Sequence, residues 1–137
     1  MTLNSLAASV HMTAVDKGFW DTERNFGEMV ALMHSELSEA LEEHRAGRPT
    51  VYYRCVESTC QYQKNPSDIQ MVTGHEHESG VMCEQKLLKP EGAAVELIDA
   101  MIRELDTLAS MGVDIDELLA IKAEYNASRE KMHGKKY

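Results

Sequence analysis

Two stretches of the 137-residue sequence set carboxylates three residues apart: Glu36-Leu-Ser-Glu39 and Glu96-Leu-Ile-Asp99. If each stretch is helical, both acids of a pair share one face, with Cβ atoms roughly 5–6 Å apart. Two ionised acids so placed repel each other unless a cation lies between them. The second pair carries the stronger signal. In Ala93-Ala-Val-Glu-Leu-Ile-Asp-Ala-Met-Ile102 every residue except Glu96 and Asp99 is apolar, and a carboxylate in apolar surroundings is costly unless it is paired or binds a metal. Four hard oxygen donors on two facing helices suit Mg²⁺ or Mn²⁺. No thiol or imidazole accompanies them, which argues against zinc at these positions. The alternative, a solvated acidic helix face, fits Glu36 and Glu39 better than Glu96 and Asp99. A di-iron bundle would need Glu-x-x-His on two helices. The one match, Glu130-Lys-Met-His133, stands alone near the C-terminus.

A second constellation lies downstream. Lys122, Tyr125, Asn126, Arg129 and His133 recur at helical spacing and give an acidic protein one polar, cationic stripe. Cations near a helix C-terminus complement the helix dipole, which accounts for Arg129 but not for Tyr125 and Asn126. The stripe therefore reads as a phosphate- and sugar-contacting face. Trp20 could stack on a base; its large apolar area suits core or subunit-interface packing better. A third group, Cys55, Cys60, His75, His77 and Cys83, could supply a Cys₃His zinc site. Its spacing follows no standard zinc pattern, and loop or buried thiols are the competing reading.

The elements that must position these residues are helices. Residues 4 to about 17 predict a first helix, with Asn4 or Ser5 as N-cap and Gly18 at its end. Asp21 or Thr22 opens a second, running to about residue 46 and keeping helical period through Phe26, Val30, Met33, Leu37, Ala40 and Leu41. Gly47 and Pro49 stop it. Residues from about 48 to 90 form an insertion rich in turn formers, with a short strand at Val51-Tyr52-Tyr53 and a small hairpin expected within an otherwise irregular segment. Pro90-Glu91 suits the opening of a third helix, which ends before Gly112. Asp114-Ile-Asp-Glu117 begins a fourth like a capping box, extending to about Met132. The expected fold is all-α: a four-helix bundle in a single domain over residues 1–137, with the insertion between helices two and three.

Composition narrows the classes. The net charge of −9 argues against binding nucleic-acid polymers, whose phosphates are held by Lys and Arg. It does not argue against one nucleotide arriving with a divalent ion. No apolar run approaches the roughly 18–20 residues of a membrane span, and no export signal is visible. The expected location is therefore cytoplasmic. Three cysteines, an odd number confined to one stretch, suit a reducing compartment.

The motifs in combination resemble the MazG-like, all-α nucleoside triphosphate pyrophosphohydrolases. That family pairs Glu-Glu-x-x-Glu with a downstream Glu-x-x-Asp, matched here by Ser35-Glu36-Leu-Ser-Glu39 and Glu96-Leu-Ile-Asp99. The flanks Lys17-Gly-Phe-Trp20, Asn25-Phe-Gly-Glu28 and Lys122-x-x-Tyr-Asn-x-x-Arg129 are similar too. The resemblance covers residues 11–48 and 90–137. It implies Mg²⁺-dependent cleavage of a nucleoside triphosphate between its α and β phosphates. Glu36, Glu39, Glu96 and Asp99 would be the metal ligands, with Glu36 and Glu39 catalytic. Lys122, Tyr125, Asn126, Arg129 and Trp20 would contact the substrate, and the protein would form a homodimer or homotetramer. A specialised pyrophosphohydrolase of the phosphoribosyl-ATP type, or a non-catalytic helical interaction module, are the rival readings. The chain departs from the pattern at Ser35, where the family has its first Glu; that role could pass to Glu43 or Glu28, or to water.

Overall fold

The structure, a computed structural model, describes residues 1–55, 63–64 and 88–130. Among these residues the chain is mostly helical, with four helices and one small sheet: α1 (Leu3–Asp16), α2 (Phe26–Arg45), β1 (Tyr52–Arg54), β2 (Gln63–Lys64), β3 (Lys89–Glu91), α3 (Ala93–Ser110) and α4 (Ile115–Ser128). None of these helices is long and apolar enough to cross a membrane. The chain forms two compact units, residues 1–29 with 102–137 and residues 30–101, so α2 and α3 each contribute to both.

In the first unit, α1 and α4 are joined at their N-termini. Helix N-termini present unsatisfied N–H groups and partial positive charge, which acidic side chains complement. The Asp116 carboxylate accepts from the backbone N–H groups of Leu3 (3.0 Å) and Asn4 (3.1 Å). In return, Asn4 donates through Nδ2 to Asp114 (2.8 Å) and accepts the Ile115 N–H (2.8 Å). The Thr2 hydroxyl caps α1 through a capping box with Ser5. The cap thus falls two or three residues earlier than the sequence predicts, and Asn4 bonds instead to α4. Asp114 caps α4 as expected, accepting from the Glu117 N–H at 3.0 Å. Beneath these caps Ala7, Leu105 and Ile115 form the buried core, with Leu3, Leu6, Leu108, Ala109 and Val113 packed around it.

Two boundaries in the helices also move. α2 begins at Phe26 instead of Asp21 or Thr22, because the Asn25 side chain accepts from the Glu28 N–H at 2.9 Å and fixes the start there. α4 ends at Ser128, since Arg129 turns extended at φ −76°, ψ 146°. The segment to Met132, including Lys131, lies partly outside the described residues.

The second unit corrects the sequence reading most. The short strand is present at Tyr52–Arg54 and pairs with β2, as the expected hairpin requires. Its other edge pairs antiparallel with β3, giving the order β2-β1-β3. Pro90 and Glu91 therefore lie in a strand and do not open α3. Pro90 can occupy β3 because this is an edge strand, where a missing N–H is tolerated. Gly92 separates strand from helix. Its φ is +112°, and a Cβ there would lie 2.6 Å from the Thr50 carbonyl oxygen and 2.7 Å from that of Pro49. The same Thr50 carbonyl accepts the Ala94 N–H at 3.1 Å, so the first turn of α3 is tied to the segment that leaves α2.

Candidate metal centre

α2 and α3 bring three of the four expected carboxylates together within the second unit. Single carboxylate oxygens of Glu36, Glu39 and Glu96 all lie within 4.8 Å of one another. Glu36 and Glu96 are each only 7 % exposed, whereas Glu39 is open to solvent. Asp99 follows Glu96 one turn along α3 and is half-buried. Burial, followed by the charges of Glu39, Asp99, Glu36 and Glu91, pushes the Glu96 carboxyl above the usual carboxylate range. A cation held among the acids would remove that penalty. The donor set is all oxygen, which fits a hard divalent ion such as Mg²⁺ or Mn²⁺ and not zinc. Ser35, standing where the family pattern has an acid, donates through its hydroxyl to Glu39 at 3.2 Å and orients that side chain.

Glu43 does not replace the absent acid. Its buried carboxylate bonds the Arg48 guanidinium and accepts from the Tyr52 hydroxyl at 3.3 Å, fastening the end of α2 to β1. Burial and the adjacent Glu43 and Glu91 charges push the Tyr52 phenol up, so it remains the donor. Glu28 belongs to the first unit.

Sequence reasoning missed Arg54, Lys89 and Glu91. Across the β1–β3 ladder Arg54 stands directly opposite Lys89. Glu91 accepts from both on a single oxygen, Oε1, at 2.7 and 2.9 Å. Burial pushes the Glu91 carboxyl up, but the bonds and charges of Lys89 and Arg54 outweigh it and hold the group below the usual range. Lys-Pro-Glu-Gly immediately before α3 was the available signal, hidden by its likeness to a helix start.

The other expected site residues lie in the first unit. On α4, the Lys122 ammonium lies 5.3 Å and the Arg129 guanidinium 5.8 Å from the centroid of the exposed Tyr125 ring, within cation–π range. Asn126 is exposed on the same helix. Trp20 is half-buried. Its Nε1 donates to both Asp106 oxygens at 3.0 and 3.2 Å, and its ring meets His11 edge-on at 5.0 Å. His11 Nδ1 lies 2.6 Å from the same Asp106 carboxylate. The polar edge of Trp20 is thus engaged within the unit. Cys55 is buried and forms no disulfide; Cys60, His75, His77 and Cys83, the rest of the expected zinc set, lie outside the described residues.

Comparison with protein-family models, with curated proteins and with solved structures finds no match.

Proposed function

We propose that this chain is a divalent-cation-dependent nucleoside triphosphate pyrophosphohydrolase of the MazG-like type. The observation that carries the reading is the convergence of Glu36, Glu39 and Glu96 from two helices to within 4.8 Å, with two of the three buried. Three carboxylate oxygens this close repel one another, and a bound cation would relieve that repulsion. Asp99, one turn from Glu96, completes the ligand set that the sequence pattern implies.

The overall reaction breaks the bond between the α-phosphorus and its bridging oxygen to the β-phosphate. Water attacks the α-phosphorus, and pyrophosphate leaves. A bound Mg²⁺ or Mn²⁺ supplies neutralisation of phosphoryl charge and a lowered pKa for water. Glu36, Glu39, Glu96 and Asp99 hold the ion. Glu39, exposed and oriented by Ser35, is the acid best placed to take a proton from solvent water, with Glu36 beside it. Lys122, Tyr125, Asn126 and Arg129 are the substrate contacts that the resemblance implies. Exposed Leu37, Leu41, Leu97, Ile98 and Met101 in one unit, and Leu118, Leu119 and Ile121 in the other, support association of the chain into a homo-oligomer.

The test is pyrophosphate release from a panel of ribo- and deoxyribonucleoside triphosphates, with Mg²⁺ and with Mn²⁺. Release from at least one triphosphate, abolished by EDTA and by Glu36→Gln, is the expected result. No release from any member of the panel with either ion overturns the reading and favours a non-catalytic module.

A further inference from the structure

The Arg54–Glu91–Lys89 triad holds more positive charge than its structural task needs. Like charges directly opposite on neighbouring strands destabilise a sheet, and Arg54 and Lys89 are such a pair. One cation bonded to Glu91 would tie β1 to β3. Two cations share one carboxylate oxygen, so these three side chains together carry one net positive charge. It is also accessible: the side chains are 48 % and 54 % exposed, whereas Glu91 beneath them is 9 % exposed. Each cation spends one donor on Glu91; a guanidinium has five and an ammonium three.

The position gives that excess a use. β3 passes through Gly92 directly into the α3 turn that carries Glu96. The Glu96 charge acts on Lys89, and the Glu91 charge acts on Glu96. Three carboxylates around one divalent ion leave one negative charge and Asp99 adds a second, which together would repel a polyphosphate. The net positive charge of the triad offsets part of it within the same unit.

We propose that Arg54 and Lys89 form an anion contact for a phosphate group of a polyphosphate ligand held at the Glu36–Glu39–Glu96 cluster. The proposal rests on the pyrophosphohydrolase reading for its ligand class. Glu91 is the positioning residue: it screens the two cations from each other and aims them from the strand ladder.

Calorimetric titration of the full chain with inorganic pyrophosphate in Mg²⁺, and with Mg²⁺ alone, tests the contact without requiring turnover. Lys89→Gln and Arg54→Gln are each expected to weaken pyrophosphate binding about tenfold, the scale of one charged hydrogen bond. Mg²⁺ alone should bind both variants as tightly as wild type or more tightly, because a nearby cation has been removed. Lys89→Arg should retain pyrophosphate affinity, and Lys89→Gln keeps the Arg54–Glu91 bond that ties the strands. Unchanged pyrophosphate affinity in both Gln variants overturns the proposal. So does a parallel fall in Mg²⁺ affinity, the mark of a strand clamp only, or failure of wild type to bind magnesium pyrophosphate at all. If wild type binds magnesium pyrophosphate through these residues yet releases none from any triphosphate, the contact stands and the catalytic reading falls.

Discussion

Replacing Glu96 by Gln should make the metal-free protein more stable. Burial acts most strongly on the Glu96 carboxyl, followed by the charges of Glu39, Asp99, Glu36 and Glu91, and each of these raises its pKa. Glu96 lies within 4.8 Å of oxygens on Glu36 and Glu39. At that distance one pair of unit charges costs about 3.5 kcal/mol at an effective dielectric of 20 and about 1 kcal/mol in bulk water. Glu36 is buried and Glu39 exposed, so relief of about 1–3 kcal/mol is expected once Glu96 is neutral. For a chain of this length that raises the Tm by about 4–10 °C. The raised folded-state pKa fixes the sign with pH. Ionising Glu96 costs the fold stability, so metal-free wild type loses stability as pH rises from the ordinary carboxylate range through the raised pKa, and recovers it as pH falls. Glu96→Gln should lack this part of the pH profile. Saturating Mg²⁺ should narrow or reverse the difference, because an ion at about a thousand times its Kd adds about 4.1 kcal/mol to wild type and less to the variant. Differential scanning calorimetry in EDTA and in Mg²⁺, from pH 5 to 8, reads all three effects. A Glu96→Gln protein less stable than wild type in EDTA at pH 8 would refute the reasoning, since the carboxylate would then be making favourable bonds.

Four further outcomes are expected. Gly92→Ala should destabilise by about 2–4 kcal/mol in a urea melt, because its Cβ would meet the Thr50 and Pro49 carbonyls at φ +112°; Gly47→Ala, at φ +66° with open space around it, should cost only about 1–2 kcal/mol. Asn4→Ala should lower stability by about 1–2 kcal/mol through loss of its bonds to Asp114 and Ile115. The Asn4 and Glu117 bonds hold the Asp114 carboxyl below its usual range, so its contribution is present above the unfolded pKa and is lost as acid titrates the folded group; thermal melts from pH 5 down to pH 2.5 should show this loss in wild type but less of it in Asn4→Ala. Asp106→Ala should release the indole of Trp20, the one tryptophan of the chain, and shift its fluorescence to longer wavelength while cutting stability by about 1–3 kcal/mol.

The helices and the acid pairs were legible because they are local. Apolar spacing along α2 and α3 repeats every turn, and Glu96 announces itself as a charge in an apolar run. What sequence reasoning missed depends on distant partners. Pro90-Glu91 has the look of a helix opening, yet Glu91 is claimed by Arg54, 37 residues earlier, and by a ladder no local pattern reveals. Glu43 and Asp106 sit on the same helical stripes as the clustered acids. Their assignments to Arg48 and Tyr52, and to His11 and Trp20, come from tertiary contacts. Asn4 was expected to cap its own helix and caps another. In each case the residue type was informative, and its partner was not.

The β1–β3 pairing also bears on how this chain can change over generations. Arg54 and Lys89 face each other in register, so whatever chain lies between them leaves and returns at one neck. Closing a loop whose ends are already held costs only about 0.6 kcal/mol more for each doubling of its length. The neck therefore acts as a grafting port: inserted sequence can lengthen, shorten or be exchanged while the tether at Thr50 and Gly92 keeps Glu96 in place beside Glu36 and Glu39.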